Sequence, residues 1–295
     1  MRKSVLLPAL AVAGGIVGLL VRRVYLANGF EVGTGLPIAG APSLWAIALV
    51  TVAVVVVLAA LSAGKHRNFG RCYAEPFLPR SPLCLTFQLA GVVLLAIGGF
   101  LALAHWVQSP VTDLGQRTVS IAWAGLGILA LLAAAGIYFV TLKMRRGQPI
   151  LTAWVTLPGF AGCLWIMSNY YESWAANPVL GQYLIPMLGA LLSMLACFFM
   201  GGFAFEKGRV TVTLTLALAG GALNLMSLAE GLPLAETALY LGMTFYLLDS
   251  ASALADSDAR PEAAHTCLAH CETRASCDPI GTLHPNKEKK KNTRG

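Results

Sequence analysis

Charge is scarce in this sequence: 12% of its 295 residues are Asp, Glu, Lys or Arg, while 57% are hydrophobic and mean hydropathy is +0.68. Soluble domains carry about twice that charge, so a water-exposed globular surface is excluded. Catalytic signatures are missing as well. No Gly-rich phosphate loop, nucleophile elbow or His-Glu-x-x-His motif occurs. Ionisable side chains are nearly absent from the apolar blocks. That argues against an ion-coupled pump, and against an intramembrane protease, whose serine and histidine or paired aspartates would have to sit inside them.

Seven cysteines, an odd number, do not make a disulfide framework. Cys163 and Cys197 lie inside apolar blocks and the others in segments assigned below to the cytoplasm or its border, so free thiols are expected. His265, Cys267, His270, Cys271, Cys277 and His284 are chemically good zinc ligands. Their spacing matches none of the finger patterns, in which ligands about two to four residues apart face a second pair about a dozen residues away. The sequence predicts no bound metal and no cofactor.

What it has in quantity is apolar residues, grouped into blocks close to the roughly 20 residues that cross a hydrocarbon core. Spans are expected at 5–21, 44–63, 83–104, 118–142, 150–167, 184–205, 210–228 and 232–248. Each must be a helix, because hydrocarbon offers nothing to an unpaired amide, and the alternating strands of about ten residues that build a barrel are absent. The fold class is therefore all-α, a polytopic transmembrane helix bundle of eight spans. Met1-Arg2-Lys3 ahead of an apolar run resembles a secretory signal with Ala11-Val12-Ala13 as a cleavage-like site. The run continues past that site, and a retained signal-anchor helix is expected.

The net charge of +7 raises the question of nucleic acid. The basic residues flank apolar blocks instead of forming one folded face, which fits membrane orientation and not phosphate recognition. With both termini in the cytoplasm, the inner segments hold Arg2 and Lys3, then Lys65, Arg67, Arg71 and Arg80, then Lys143, Arg145 and Arg146, then Lys207 and Arg209, and finally the basic residues of the C-terminal stretch. Only Arg22, Arg23 and Arg117 of the 21 Lys and Arg residues are left outside. Residues 1–250 read as the transmembrane domain. Residues 251–295 read as a mostly disordered cytoplasmic tail, too poor in large apolar residues to build a core.

Within the spans, Gln88 and Asn224 are the deepest strongly polar side chains, and each is expected to make an interhelical hydrogen bond. Gly14, Gly15 and Gly18 form a small-residue face suited to close helix packing. The outer face gathers more chemistry. Arg22 and Arg23 end the first span where basic residues are disfavoured, and Glu31, Glu172, Glu230 and Glu236 lie on the same side. With His105, Asn169, Tyr170, Tyr171, Trp174 and Asn177 they could line an outward-facing polar ligand site. The plainer alternative makes the tyrosines and tryptophans an interfacial belt and the arginines snorkelling side chains.

Arg22-Arg23 followed by the loop Gly35-Leu36-Pro37-Ile38-Ala39-Gly40-Ala41-Pro42, then Asn177-Pro178-Val179-Leu180, then Gly202-Phe203-Ala204-Phe205 before a basic turn, resembles an uncharacterised multi-span membrane protein family of Clostridia-type Gram-positive bacteria. The resemblance implies a multi-pass protein of the cell membrane and brings no activity, substrate or cofactor with it. Three classes of function stay open. A transporter or transporter-associated binding subunit for a small or lipidic ligand predicts a cavity opening outward between the first, fifth and eighth spans. A structural or signalling membrane partner predicts a closed bundle. A membrane-embedded lipid-modifying enzyme needs acid and base groups converging at one interface. The expected partners are the lipid bilayer and either another membrane protein or a second copy of the chain, with no nucleic acid.

Overall fold

An apolar block in hydrocarbon can satisfy its amides only internally, and in the computed structural model each of the eight blocks is helical. The structure describes residues 3–31, 36–38, 40–64, 66, 74–78, 82–108, 114–148, 150, 152–174, 179–205 and 208–259. Its helices are α1 (Lys3–Asn28), α2 (Pro42–Ser62), α3 (Ala74–Phe77), α4 (Pro82–Gln108), α5 (Leu114–Arg145), α6 (Thr152–Asn169), α7 (Leu180–Gly202), α8 (Val210–Ser227) and α9 (Leu234–Asp258). A π-helical turn, Tyr170–Trp174, prolongs α6, and 3-10 turns Phe203–Phe205 and Leu228–Glu230 follow α7 and α8. Among the described residues no strand forms, and the chain is all-α.

Seven helices, α1, α2, α4, α5, α7, α8 and α9, are long and apolar enough to cross a membrane. The eighth expected span corresponds to α6, which does not meet that standard. It has 18 residues, with Pro158 inside it and Ser168 and Asn169 at its end.

Two expected boundaries move. The first expected span ends at Val21, but α1 continues to Asn28, so Arg22 and Arg23 lie within the helix. The reason is packing: Ser4, Leu7, Ala11, Gly15, Gly18, Arg22 and Tyr25 are all buried at intervals of three or four residues, one helical face. That face keeps its partner after hydropathy falls. At the other end, α9 passes residue 248 and runs to Asp258, burying Asp249, Ser250, Ala251, Leu254 and Ser257 on the way. The part of the expected tail from 251 to 258 is therefore helix. Residues 260–295, with the His and Cys cluster at 265–284, lie outside the described residues.

Helices α8 and α9 are central: 67% and 78% of their membrane-length windows are buried, against 11% for α2 at the periphery. Helix α1 packs on α8, α2 and α9, α4 on α5 and α9, and α7 on α6 and α8. Small residues permit these approaches. A Cβ on Gly15 would sit 2.9 Å from Leu225 of α8, and one on Gly18 would run into Met226. The expected packing role of the α1 glycine face is met within the bundle itself. Asn224 Nδ2 of α8 donates to Ser193 Oγ of α7 at 2.8 Å, and Ser193 Oγ donates to the Gly189 carbonyl at 2.7 Å, the interhelical bond expected of Asn224. Gln88 is buried in α4, but its Oε1 has no partner among the described residues. Cys84, Cys163 and Cys197 are free of disulfides.

Candidate ligand site at the Arg22 end of the bundle

Alternating helix directions bring the end of α1, the start of α7, the end of α8 and the start of α9 to one end of the bundle. Arg22 organises it. The side chain is buried, with the residue 1% exposed. Nη1 donates to the Gly181 carbonyl and Nη2 to the Gln182 carbonyl, both at 2.8 Å, and Nη2 also pairs with Glu230 Oε1 at 2.6 Å. A guanidinium is the one cationic side chain with a rigid planar fork of donors for three acceptors at once. It serves here to tie α1 to α7 and to the turn after α8.

Local backbone makes these contacts possible. Pro186 offers no N–H to the Gln182 carbonyl one turn before it, which accepts from Arg22 instead, and Gly181 leaves room for Tyr25: a Cβ there would lie 2.5 Å from the Tyr25 hydroxyl. Gly231, with φ of 66°, ends the turn that carries Glu230 and allows α9 to start at Leu234. The Tyr25 ring lies 5.3 Å from the Arg22 guanidinium and edge-on to Phe30, with centroids 5.1 Å apart. Arg22 Nε and Tyr25 Oη are buried without hydrogen-bond partners among the described residues.

A second group lies toward α4, α5 and α6. Trp123 Nε1 donates to Glu172 Oε2, and Glu172 Oε1 is 3.9 Å from His105 Nε2. The His105 and Trp123 rings have centroids 5.1 Å apart. The π-helical turn widens the end of α6 and sets Glu172 there, a geometry that recurs at functional sites. Glu236, buried in the first turn of α9, lies within electrostatic range of both Glu172 and Glu230. Beneath it, Trp165 and Tyr240 pack with ring centroids 4.4 Å apart, and the Tyr240 hydroxyl donates to the Pro186 carbonyl at 3.1 Å.

The structure thus gathers Arg22, His105, Glu172, Glu230 and Glu236 at one end and separates others from them. Arg23, about 100° further round α1, is exposed. Glu31 is exposed, its amide bonded to the Leu36 carbonyl at 2.9 Å. Tyr170 and Tyr171 are exposed and meet edge to face at 5.6 Å, as a belt would. Asn169 is buried and donates to the Trp165 carbonyl at 3.2 Å. Trp174 closes the π-helical turn by its backbone, and Asn177 lies outside the described residues. Among the described residues no set of three or more His, Cys, Asp or Glu side chains converges as a metal site.

A cavity of about 220 Å³ sits between α1, α2 and α7, bounded at one end by Arg22 and Tyr25 and walled by Leu44, Ile47, Ala48, Thr51, Val52, Leu184, Ile185 and Leu188. Two voids deeper in the bundle measure about 10 and 20 Å³, room for a water at most. Close packing of α8 and α9 fills the centre of the bundle, and the 220 Å³ cavity lies beside peripheral α2.

Sequence reasoning missed Tyr25, Gly181 and Trp123 at this end and Asp249 toward the other. Tyr25 carried a readable signal, one turn from Arg22 on the buried face. Asp249 stands where the apolar pattern of the sequence stops, yet it is 6% exposed within α9. No protein-family model, curated protein or solved structure matches the chain.

Proposed function

We propose that this chain is a multi-pass protein of a bacterial cytoplasmic membrane that crosses it eight times with both termini in the cytoplasm. At its outer end it binds a small or lipidic ligand, as a transporter or transporter-associated binding subunit. The observation that carries this reading is the position of Arg22. One side of the residue bounds the 220 Å³ cavity, and the other pairs with Glu230 beside Glu236. Ionisable groups are expensive in an apolar bundle and mark ligand or ion sites more often than structural ones. Here Arg22, His105, Glu172, Glu230 and Glu236 gather at one end, beside a cavity of about 220 Å³.

The eighth crossing is supported by continuity. Helix α6 and its π-helical turn form one helical run from 152 to 174, packed against α5 and α7. The small size of the central voids favours a binding subunit over a pore through the middle of the bundle. The same tight interior supports a second reading, a structural or signalling partner of another membrane protein.

Thermal unfolding of the purified chain against panels of lipids and small amphiphiles separates the two. A ligand that binds the native state alone raises the unfolding temperature with its concentration. The binding reading predicts that one chemical class does so, and that Glu172→Gln with Glu236→Gln weakens the effect. No stabilising class, or an equal shift in the double variant, overturns it.

A further inference from the structure

The small void at the end of the bundle away from Arg22, we propose, holds one bound water that joins the Gln88 side-chain amide on α4 to the Ser250 hydroxyl on α9. The proposal is independent of the ligand reading above, because none of these residues lies at the Arg22 end.

Helix packing brings the two side chains to one place. Gly91 lets α4 approach α9 closely: a Cβ there would lie 3.1 Å from the Gly242 carbonyl and 3.2 Å from the Tyr246 amide nitrogen. Gln88 precedes Gly91 by about one turn, and Ser250 follows Tyr246 by about one turn of the oppositely directed α9. Gln88, Tyr246 and Ser250 therefore line the same void, and each is 5% exposed. Ile137 and Val140 of α5 and Val155 of α6 form apolar walls, and Phe77 of α3, edge-on to Phe203 at 5.2 Å, forms another.

Size and chemistry select the occupant. The void measures about 10 Å³, the space of about one water and too little for any larger guest. Gln88 Oε1 is buried with no hydrogen-bond partner among the described residues, and a buried amide left unpaired costs free energy. A half-turn of the amide exchanges its oxygen and nitrogen. Water both donates and accepts, as the Ser250 hydroxyl does, so it completes the contact in either orientation. The interhelical bond that the sequence predicts for Gln88 is then made through water, and it ties α4 to α9 at the inner end.

Two measurements on the full chain test this. Crystals grown in lipid, at a resolution where other buried waters are visible, are expected to show a single peak in the void about 2.7–3.2 Å from both side chains. Thermal unfolding in mixed micelles gives the energetic test. Gln88→Met keeps the length of the side chain and removes its hydrogen bonding. In a dry void that change removes an unpaired amide and raises the unfolding temperature, whereas a water-bridged amide predicts a fall. The fall should be less than half as large in a Ser250→Ala background, where the water has already lost a partner. An empty void, a direct bond between Gln88 and Ser250, a rise in Gln88→Met, or additive effects of the two substitutions overturns the proposal.

Discussion

Arg22 on α1 and Glu230 after α8 are joined by a 2.6 Å ion pair between residues 208 positions apart in the chain. Arg22→Met leaves the Glu230 carboxylate and two carbonyls without their donor. Breaking a buried pair from one side costs about 3–5 kcal/mol, so thermal unfolding in detergent is expected well below that of the parent chain. Arg22→Lys keeps the charge but not the planar fork, and should recover only part of the loss. An unchanged unfolding temperature in either variant would show that the pair does not hold this end together.

Gly181 and Tyr25 offer a test by compensation. Gly181→Ala puts a methyl group 2.5 Å from the Tyr25 hydroxyl, with the next nearest atom of that ring at 3.7 Å. Overpacking of this kind costs about 1–3 kcal/mol. Tyr25→Phe removes the one offending atom, and that atom has no hydrogen-bond partner among the described residues to lose. The double variant should therefore unfold nearer the parent temperature than Gly181→Ala alone. Additive losses in the two variants would place the clash elsewhere.

Asn224 and Ser193 test packing at mid-bundle. Interhelical hydrogen bonds in membranes average about 0.6 kcal/mol and reach ~1.7 kcal/mol. A double-mutant cycle of Asn224→Ala and Ser193→Ala, followed by unfolding in mixed micelles, is expected to give a coupling in that range. A coupling near zero means the 2.8 Å contact contributes nothing beyond its geometry.

The eight-span arrangement is tested by reporter fusions. Alkaline phosphatase should be inactive when fused within 64–82 and active within 106–117. A fusion after 258 should report the cytoplasm. Phosphatase activity in the first loop, or a cytoplasmic signal from the second, contradicts the topology. A periplasmic signal after 258 would mean that α6 does not cross.

Much of this was legible in the sequence because hydrocarbon leaves a chain few choices. Block length and apolarity alone pointed to helices, and all eight blocks became helices. Arg22 and Arg23 looked alike in a linear reading, since both are basic and both fall where hydropathy drops. The helix tells them apart. Arg22 is in register with Gly15 and Gly18, the small residues that meet α8, and Arg23 is turned away from that face. Periodicity of small residues, not hydropathy, held the information. The same holds for α9, where Ala251, Leu254 and Ala255 continue a buried face that an average over polar neighbours conceals. The position of the cavity was beyond a linear reading, because it depends on which helices end up central, a property of three-dimensional packing.

The account stands most directly on ligand binding at the Arg22 end. Thermal unfolding of the 31.1 kDa chain against panels of lipids and small amphiphiles should find one chemical class that raises the unfolding temperature with its concentration. Glu172→Gln with Glu236→Gln should weaken that rise. No stabilising class, or an equal shift in the double variant, would contradict the account.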